Sequence, residues 1–264
     1  MVDVGGTAVP YRPPVVRAVT GADIRAALVA GLDDFRAAPA YGLFFGAVYA
    51  LGGVLLVAAV TVLHMPWLGY PLAAGFALVG PFVAVGLYEV SRRIEAAAPL
   101  SWAGVLGAVW AQRGREFSWL AFVTLFVFLI WMYQVRLLLA LFLGFKSFAS
   151  FAGFLTVIFT TPEGLMFLAV GHVVGAALSI AVFSLTVVSF PLLLDRDVDF
   201  VTAMITSVKA VVTSPGPMLG WAAVVVVSLI LAAIPMFLGL VIVLPVLGHT
   251  TWHLYRRLVA PEQG

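Results

Sequence analysis

The chain has 264 residues, 63% of them hydrophobic and only 10% charged, with a mean hydropathy of +1.14, against roughly half apolar and a quarter charged in soluble domains. It contains no Cys and four His, which excludes disulfides, thiolate metal sites and iron–sulfur clusters and leaves little for any other metal. A formal charge of +2 is too small to argue for nucleic acid, so the expected surroundings are lipid, with no cofactor.

Residues 1–20 carry Pro10, Arg12, Pro13 and Pro14 but no apolar core of signal-peptide type, and read as an extended or disordered tail. Ile24, Leu28, Leu32 and Phe35 then recur at helical spacing, while Arg25, Asp33, Asp34 and Arg36 take another face. Asp23 opens this helix as a cap, and Ala38, biased out of helical backbone by Pro39, closes it. This is the pattern of a helix lying in the headgroup plane. Two apolar spans follow at 41–63 and 67–90, and Arg92-Arg93 mark the exit, with Glu89 placed four residues before Arg93 in the favourable order for an ion pair.

A fainter surface helix begins at the capping Ser101, with Trp102, Leu106 and Trp110 on one face, and leads through Gln112, Arg113, Arg115 and Glu116 into a third span at 119–143. Arg136 stands near the far end of that span, where a long side chain snorkels to the headgroups. The segment 144–161 is itself apolar, with Phe145, Phe148, Phe151 and Phe154 at spacing three, and lies on or dips into the outer interface. Thr161-Pro162-Glu163 has the form of a helix start, in which Thr caps, Pro takes the first position and Glu meets the dipole. A fourth span runs over 164–194 and contains His172 beside Gly171 and Gly175.

The last quarter repeats the first. Asp199, Phe200, Met204, Val208, Val211 and Pro215 follow Asp23, Ile24, Leu28, Leu32, Phe35 and Pro39 at a constant shift of 176. A shift of 164 then pairs Gly75 with Gly239, Pro81 with Pro245, Tyr88 with Trp252, and Arg92-Arg93 with Arg256-Arg257. The final apolar segments, 219–234 and 235–252, each offer only ~24–27 Å of helix; two short spans are favoured over a re-entrant hairpin, and either returns the chain to the side it left.

The predicted fold is therefore an all-α polytopic bundle of about six spans with in-plane amphipathic helices, built from three units of one orientation. Residues 1–20 form the N-terminal tail, 21–98, 99–197 and 198–258 the three units, and 259–264 the C-terminal tail. One side of this topology receives Arg12, Arg17, Arg25, Arg36, Arg92, Arg93, Arg113, Arg115, Arg196, Lys209, Arg256 and Arg257, and the other only Arg136 and Lys146. The positive-inside rule places both termini in the cytoplasm and makes Arg92, Arg93, Arg256 and Arg257 inner-face headgroup or topology residues. Pro39, Pro81, Pro215 and Pro245 are the expected helix breaks.

Ionisable groups in lipid cost on the order of 2.5–3.5 kcal/mol each on insertion scales, which makes them functional candidates. Glu163 reads as a cap or a cation port, and His172 as a hydrogen-bonded packing residue or part of an ion path. Asp195-Arg196-Asp197-Val198-Asp199 reads as a turn in which Arg196 pairs with an Asp and Asp199 caps the next helix, or as a cation or headgroup site in which Asp195 and Asp197 face a vestibule. His249 and His253 lie too far in depth from His172 to grip one haem with it. No nucleotide, metalloprotease, nucleophile-elbow or kinase motif occurs.

Several phrases resemble a known family: Thr161-Pro162-Glu163-Gly164, Ser189-Phe190-Pro191-Leu192-Leu193-Leu194-Asp195-Arg196-Asp197-Val198-Asp199, Pro215-Gly216-Pro217-Met218, and Leu244-Pro245-Val246-Leu247-Gly248-His249 running on through Trp252-His253-Leu254-Tyr255-Arg256-Arg257. They are similar to the bacterial predicted integral membrane proteins of domain of unknown function 2189, and the likeness covers roughly Val15 to Leu258. It implies a multi-span protein of the bacterial inner (cytoplasmic) membrane and brings no activity or catalytic residues. The expected role is that of a non-enzymatic accessory, assembly or scaffold component whose partners are the bilayer and another membrane protein or a second copy. The alternative is a small-solute or ion permease built from parallel repeats.

Overall fold

The computed structural model describes residues 13–62, 69–112, 114–144 and 151–261. The expectations for residues 1–12, for the outer-loop residues Phe145, Lys146 and Phe148, and for Arg113 lie outside the described residues. Eleven helices are described: α1 (Gly21–Ala37), α2 (Pro39–Thr61), α3 (Gly69–Glu95), α4 (Trp102–Ala111), α5 (Arg115–Leu143), α6 (Phe151–Thr160), α7 (Pro162–Thr186), α8 (Ser189–Asp195), α9 (Phe200–Thr213), α10 (Pro215–Ala233) and α11 (Leu240–Leu258). Among the described residues, four apolar stretches are long enough to cross a membrane, Pro39–Ala59, Glu116–Leu143, Pro162–Asp195 and Pro215–Ala233.

The long helices pair as hairpins. Phe45 and Tyr49 of α2 press on Gly86 and Gly80 of α3, Trp131 and Leu138 of α5 on Gly175 and Gly171 of α7, and Ala232 of α10 on Gly239 at the start of α11. In the first two pairs the numbers rise along one helix as they fall along the other, so the helices are antiparallel. Gly248 and His249 of α11 meet Leu87 and Ser91 of α3 in rising order, while Pro245 and Val241 meet Gly42 and Gly46 of α2 in falling order. Helices α3 and α11, which occupy matching places in the first and last units, thus run side by side in the same direction.

The junction between surface helix and span is built the same way twice. Ala38 sits at φ −135, ψ 55 and Ser214 at φ −136, ψ 62, both buried and each followed by Pro at the first helical position. That backbone cannot continue a helix, so the chain turns there. The caps differ from expectation in one copy. Asp199 caps α9 by accepting from the Thr202 N–H at 2.9 Å, but α1 starts earlier, at Gly21, and its cap is Thr20. Asp23 completes a capping box by accepting from the Thr20 N–H at 2.9 Å.

Pro81 and Pro245 are a correction. Both lie inside unbroken helices. The missing Pro245 N–H frees the Val241 carbonyl one turn back, and that oxygen faces Gly46, whose added Cβ would lie 2.5 Å from it. A glycine on α2 accommodates the defect, and the helix runs on.

The core gathers around the second half of α11, where Trp252, Leu254, Tyr255 and Leu258 are all buried, together with Leu192, Trp221, Met218 and Phe117 from three other helices. Each large apolar side chain removed from water is worth about 1.5–3 kcal/mol. Neither tail is free along its described length. Val16 pairs with Val259 as an antiparallel bridge, Arg17 N–H donates to the Leu258 carbonyl at 2.7 Å and Ala260 N–H to that of Val15 at 2.9 Å, and Val19 N–H donates to Ser214 Oγ at 2.9 Å. Unpaired backbone groups beside a packed core are costly, so the two ends satisfy each other.

Candidate functional site

All three hairpins open toward the end of the molecule where α1, α4, α8, α9 and the C-terminal half of α11 meet, and the ionic contacts concentrate there. Glu89 of α3 is fully buried and accepts from Arg92 Nε at 2.7 Å and Arg93 Nε at 2.6 Å. Arg93 also donates to the Pro99 carbonyl at 2.9 Å, which ties α3 to the approach of α4. Burial without two guanidinium partners would leave a carboxylate stripped of water.

Arg256 bridges two carboxylates, Glu95 of α3 at 3.0 Å and Asp195 of α8 at 3.3 Å. Glu95 also accepts from Trp252 Nε1 at 3.0 Å, and Asp195 from the Tyr255 hydroxyl at 2.5 Å. Arg257 reaches Asp23 of α1 at 3.2 Å. The stretch of α11 from Trp252 to Arg257, under two turns, is thereby fastened to α1, α3 and α8. From α5, Glu116 accepts from the Phe200 N–H at 2.9 Å and so stabilises the start of α9. Asp199, in the exposed cap of α9, is held below its ordinary value by its bonds to Thr202, and Asp23 by those to Thr20 and then by Arg257.

A second polar group lies deeper, between α1, α3 and α11. Asp34 is buried on α1 and its Oδ2 is 2.7 Å from His253 Nε2; His249 is buried with Nδ1 2.8 Å from Ser91 Oγ. Helix α1 comes this close because Gly31 has no side chain: a Cβ there would sit 2.5 Å from the backbone nitrogen of Thr250. Among the described residues, His249 Nε2 is buried with no hydrogen-bond partner. Among the described residues, no cluster of three His, Cys, Asp or Glu is placed to hold a metal ion.

The residues singled out from the sequence are not brought together as one site. Asp195 belongs to the Arg256 bridge. Asp197 is exposed and lines, with Asp195, Arg196, Gln112 and Glu116, an open cleft of about 390 Å³. Arg196 donates to the Ala260 carbonyl and stands 3.9 Å from Asp195. Glu163 is exposed in the first turn of α7, where Thr161 is the cap and accepts from the Gly164 N–H at 3.1 Å. His172 is exposed on the same helix with Nδ1 2.7 Å from the Leu168 carbonyl. Nine residues separate Glu163 from His172, about 13 Å of helical rise. Asp34 reverses its expected placement, because the solvated face of α1 is centred on Asp33, while Asp34, about 100° further round, faces α11. Glu95, Glu116, Asp34 and His253 were not among the candidates, although each lies one helical turn or less from a residue that was noted.

No curated protein and no solved structure matches the chain. The model of one family, described as Predicted integral membrane protein (DUF2189), matches residues 69–195. That stretch runs from α3 through α8, narrower than the Val15 to Leu258 over which the phrases resemble the family, and it contains Glu89, Arg92, Arg93, Glu95, Glu116, Glu163, His172 and Asp195. The chain is thus an integral membrane protein by its apolar helices, and its residues 69–195 match the family described as Predicted integral membrane protein (DUF2189).

Proposed function

We propose that the protein is a non-enzymatic accessory or scaffold component of the bacterial cytoplasmic membrane, with both termini in the cytoplasm. The observation that carries this reading is α5. Along its length Phe122, Phe126, Ile130, Tyr133, Leu137 and Leu141 are all exposed at three- and four-residue spacing, so beyond Trp119, which stacks on Phe200, one face of this span is uncovered by the described residues. Phe126, Leu129, Ile130, Tyr133, Gln134 and Leu137 line an apolar cleft of about 540 Å³ on that face. Charged groups at the gathered end support the same reading, since Glu95, Asp195 and Arg256 join helices to one another. A photo-crosslinking residue at Phe126, introduced in cells, should give a discrete protein adduct that Tyr133→Ala weakens; crosslinks to lipid alone would contradict the proposal.

A permease is the second reading, and the buried His249 of α11, whose Nε2 has no partner among the described residues, favours it. It requires that proteoliposomes carry a proton or solute flux that His249→Phe removes.

A further inference from the structure

The wheels of α1 and α9 coincide under the 176-residue shift, and each has four sectors rather than two. Ala27, Gly31 and Asp34 of α1, and Ala203, Ser207 and Ala210 of α9, are buried against the protein. About 100° round each wheel lies an apolar sector, Leu28, Leu32 and Phe35 in one helix and Met204, Val208 and Val211 in the other, of which Val211 is buried in the core and Met204 packs against it. Beyond it the copies diverge. Helix α1 has Arg25 and Arg36 there, whereas α9 has Val201 and Val212, flanking the matched pair Val29 and Ile205. Val201, Ile205 and Val212 are 44%, 50% and 71% exposed. Asp33 and Lys209 close the two wheels on the far side, both exposed.

In α1 this ordering of protein, apolar, basic and polar sectors matches the depth profile of a membrane interface, with guanidinium groups level with anionic headgroups; in α9 the exposed Val201, Ile205 and Val212 extend the apolar sector as far as Lys209. Helix α4 adds Trp102, Leu106 and Trp110 as one exposed stripe, with Trp102 against Tyr41 at 4.2 Å between ring centroids; tryptophan favours that depth. All three helices lie at the end where the hairpins open. Their 17, 10 and 14 residues cover about 600 Å² of one leaflet, whereas at the opposite end the described residues include only α6, with 10 residues, or about 150 Å².

We propose that α1, α4 and α9 form a collar embedded at headgroup depth in one leaflet, and that the excess area makes the protein a wedge that prefers membrane convex on the collar side. The occupant of the exposed α9 face is thus lipid, and the proposal stands whether or not a protein partner docks on α5. The chain has no native Cys, so single labels are clean. In vesicles of phosphatidylethanolamine and phosphatidylglycerol, a fluorophore on Ile205→Cys or Val212→Cys should be quenched several-fold more by lipids brominated near the headgroup than by aqueous iodide, and one on Asp33→Cys or Lys209→Cys the reverse. Iodide quenching at Ile205, or protection from both quenchers by a second copy, would overturn the collar. For the wedge, Pro261→Cys labelled from outside reports only copies whose collar faces out. These should enrich several-fold in tubes pulled outward from giant vesicles. Val201→Asn with Ile205→Asn should lower that enrichment, and Val212→Asn alone should lower it less while disturbing the fold least. Equal density in tube and vesicle for the unmodified chain, or undiminished enrichment in both variants, would overturn it.

Discussion

Gly31 and Glu89 are the residues on which the packing is least forgiving. Any side chain at Gly31 must displace the backbone of Thr250, and overpacking of that kind typically costs about 1–3 kcal/mol. Gly31→Val should therefore lower thermal stability in detergent and separate Asp34 from His253, while Gly21→Val, where nothing lies within 4 Å, should be nearly silent. Arg92→Leu together with Arg93→Leu leaves the buried Glu89 carboxylate without a cation; breaking a buried pair in this way costs about 3–5 kcal/mol. Melting temperatures of these variants should fall in the order Arg92→Leu with Arg93→Leu, then Gly31→Val, then Gly21→Val. The Glu89–Arg93 pair was legible from spacing alone, because partners four apart on a helix must meet. Asp34 was not, because adjacent Asp33 and Asp34 look alike as letters and only the position of α11 decides which of them turns inward.

Among elements, the surface helices are the most exposed to acid. The Asp23 and Asp199 carboxylates are both held below their ordinary value of about 3.9 in the folded protein. The folded state then binds fewer protons than the unfolded one, so their contribution is fully present above about pH 4 and is lost as pH falls through the lowered values. Stability followed by circular dichroism should be insensitive to these groups at neutral pH and fall below about pH 4, and Asp199→Asn should flatten that fall. At neutral pH, Asp199→Ala should cost about 1 kcal/mol through loss of the cap. The helix-to-span turns were readable because Pro39 and Pro215 forbid helical backbone just before them. Pro81 and Pro245 misled for a physical reason: a proline interrupts a helix only where nothing accommodates the freed carbonyl, and Gly46 does so for Pro245 at a distance of 199 positions in the chain. Gly46→Leu should accordingly destabilise the hairpin contact more than Gly220→Leu, which meets open space.

For the whole molecule, composition and the lengths of the apolar runs were enough to specify a helical membrane bundle. They did not reveal that α11 is its hub. That helix carries His249, Thr250, His253, Arg256 and Arg257, so as a string it looks like a weak span, yet in the structure those groups are what fasten it to α1, α3 and α8. The tails were unreadable as partners for a similar reason, since one antiparallel bridge between Val16 and Val259 leaves no periodic signal. The account rests on one geometric claim, that the first and last units enter the bilayer from the same leaflet and bring their charged ends together. Single cysteines at Asp33, Lys209 and Glu163, probed in intact cells with a membrane-impermeant maleimide, test it directly. Glu163→Cys should label from outside, and Asp33→Cys and Lys209→Cys only after permeabilisation; labelling of Asp33→Cys and Lys209→Cys from opposite sides would contradict it.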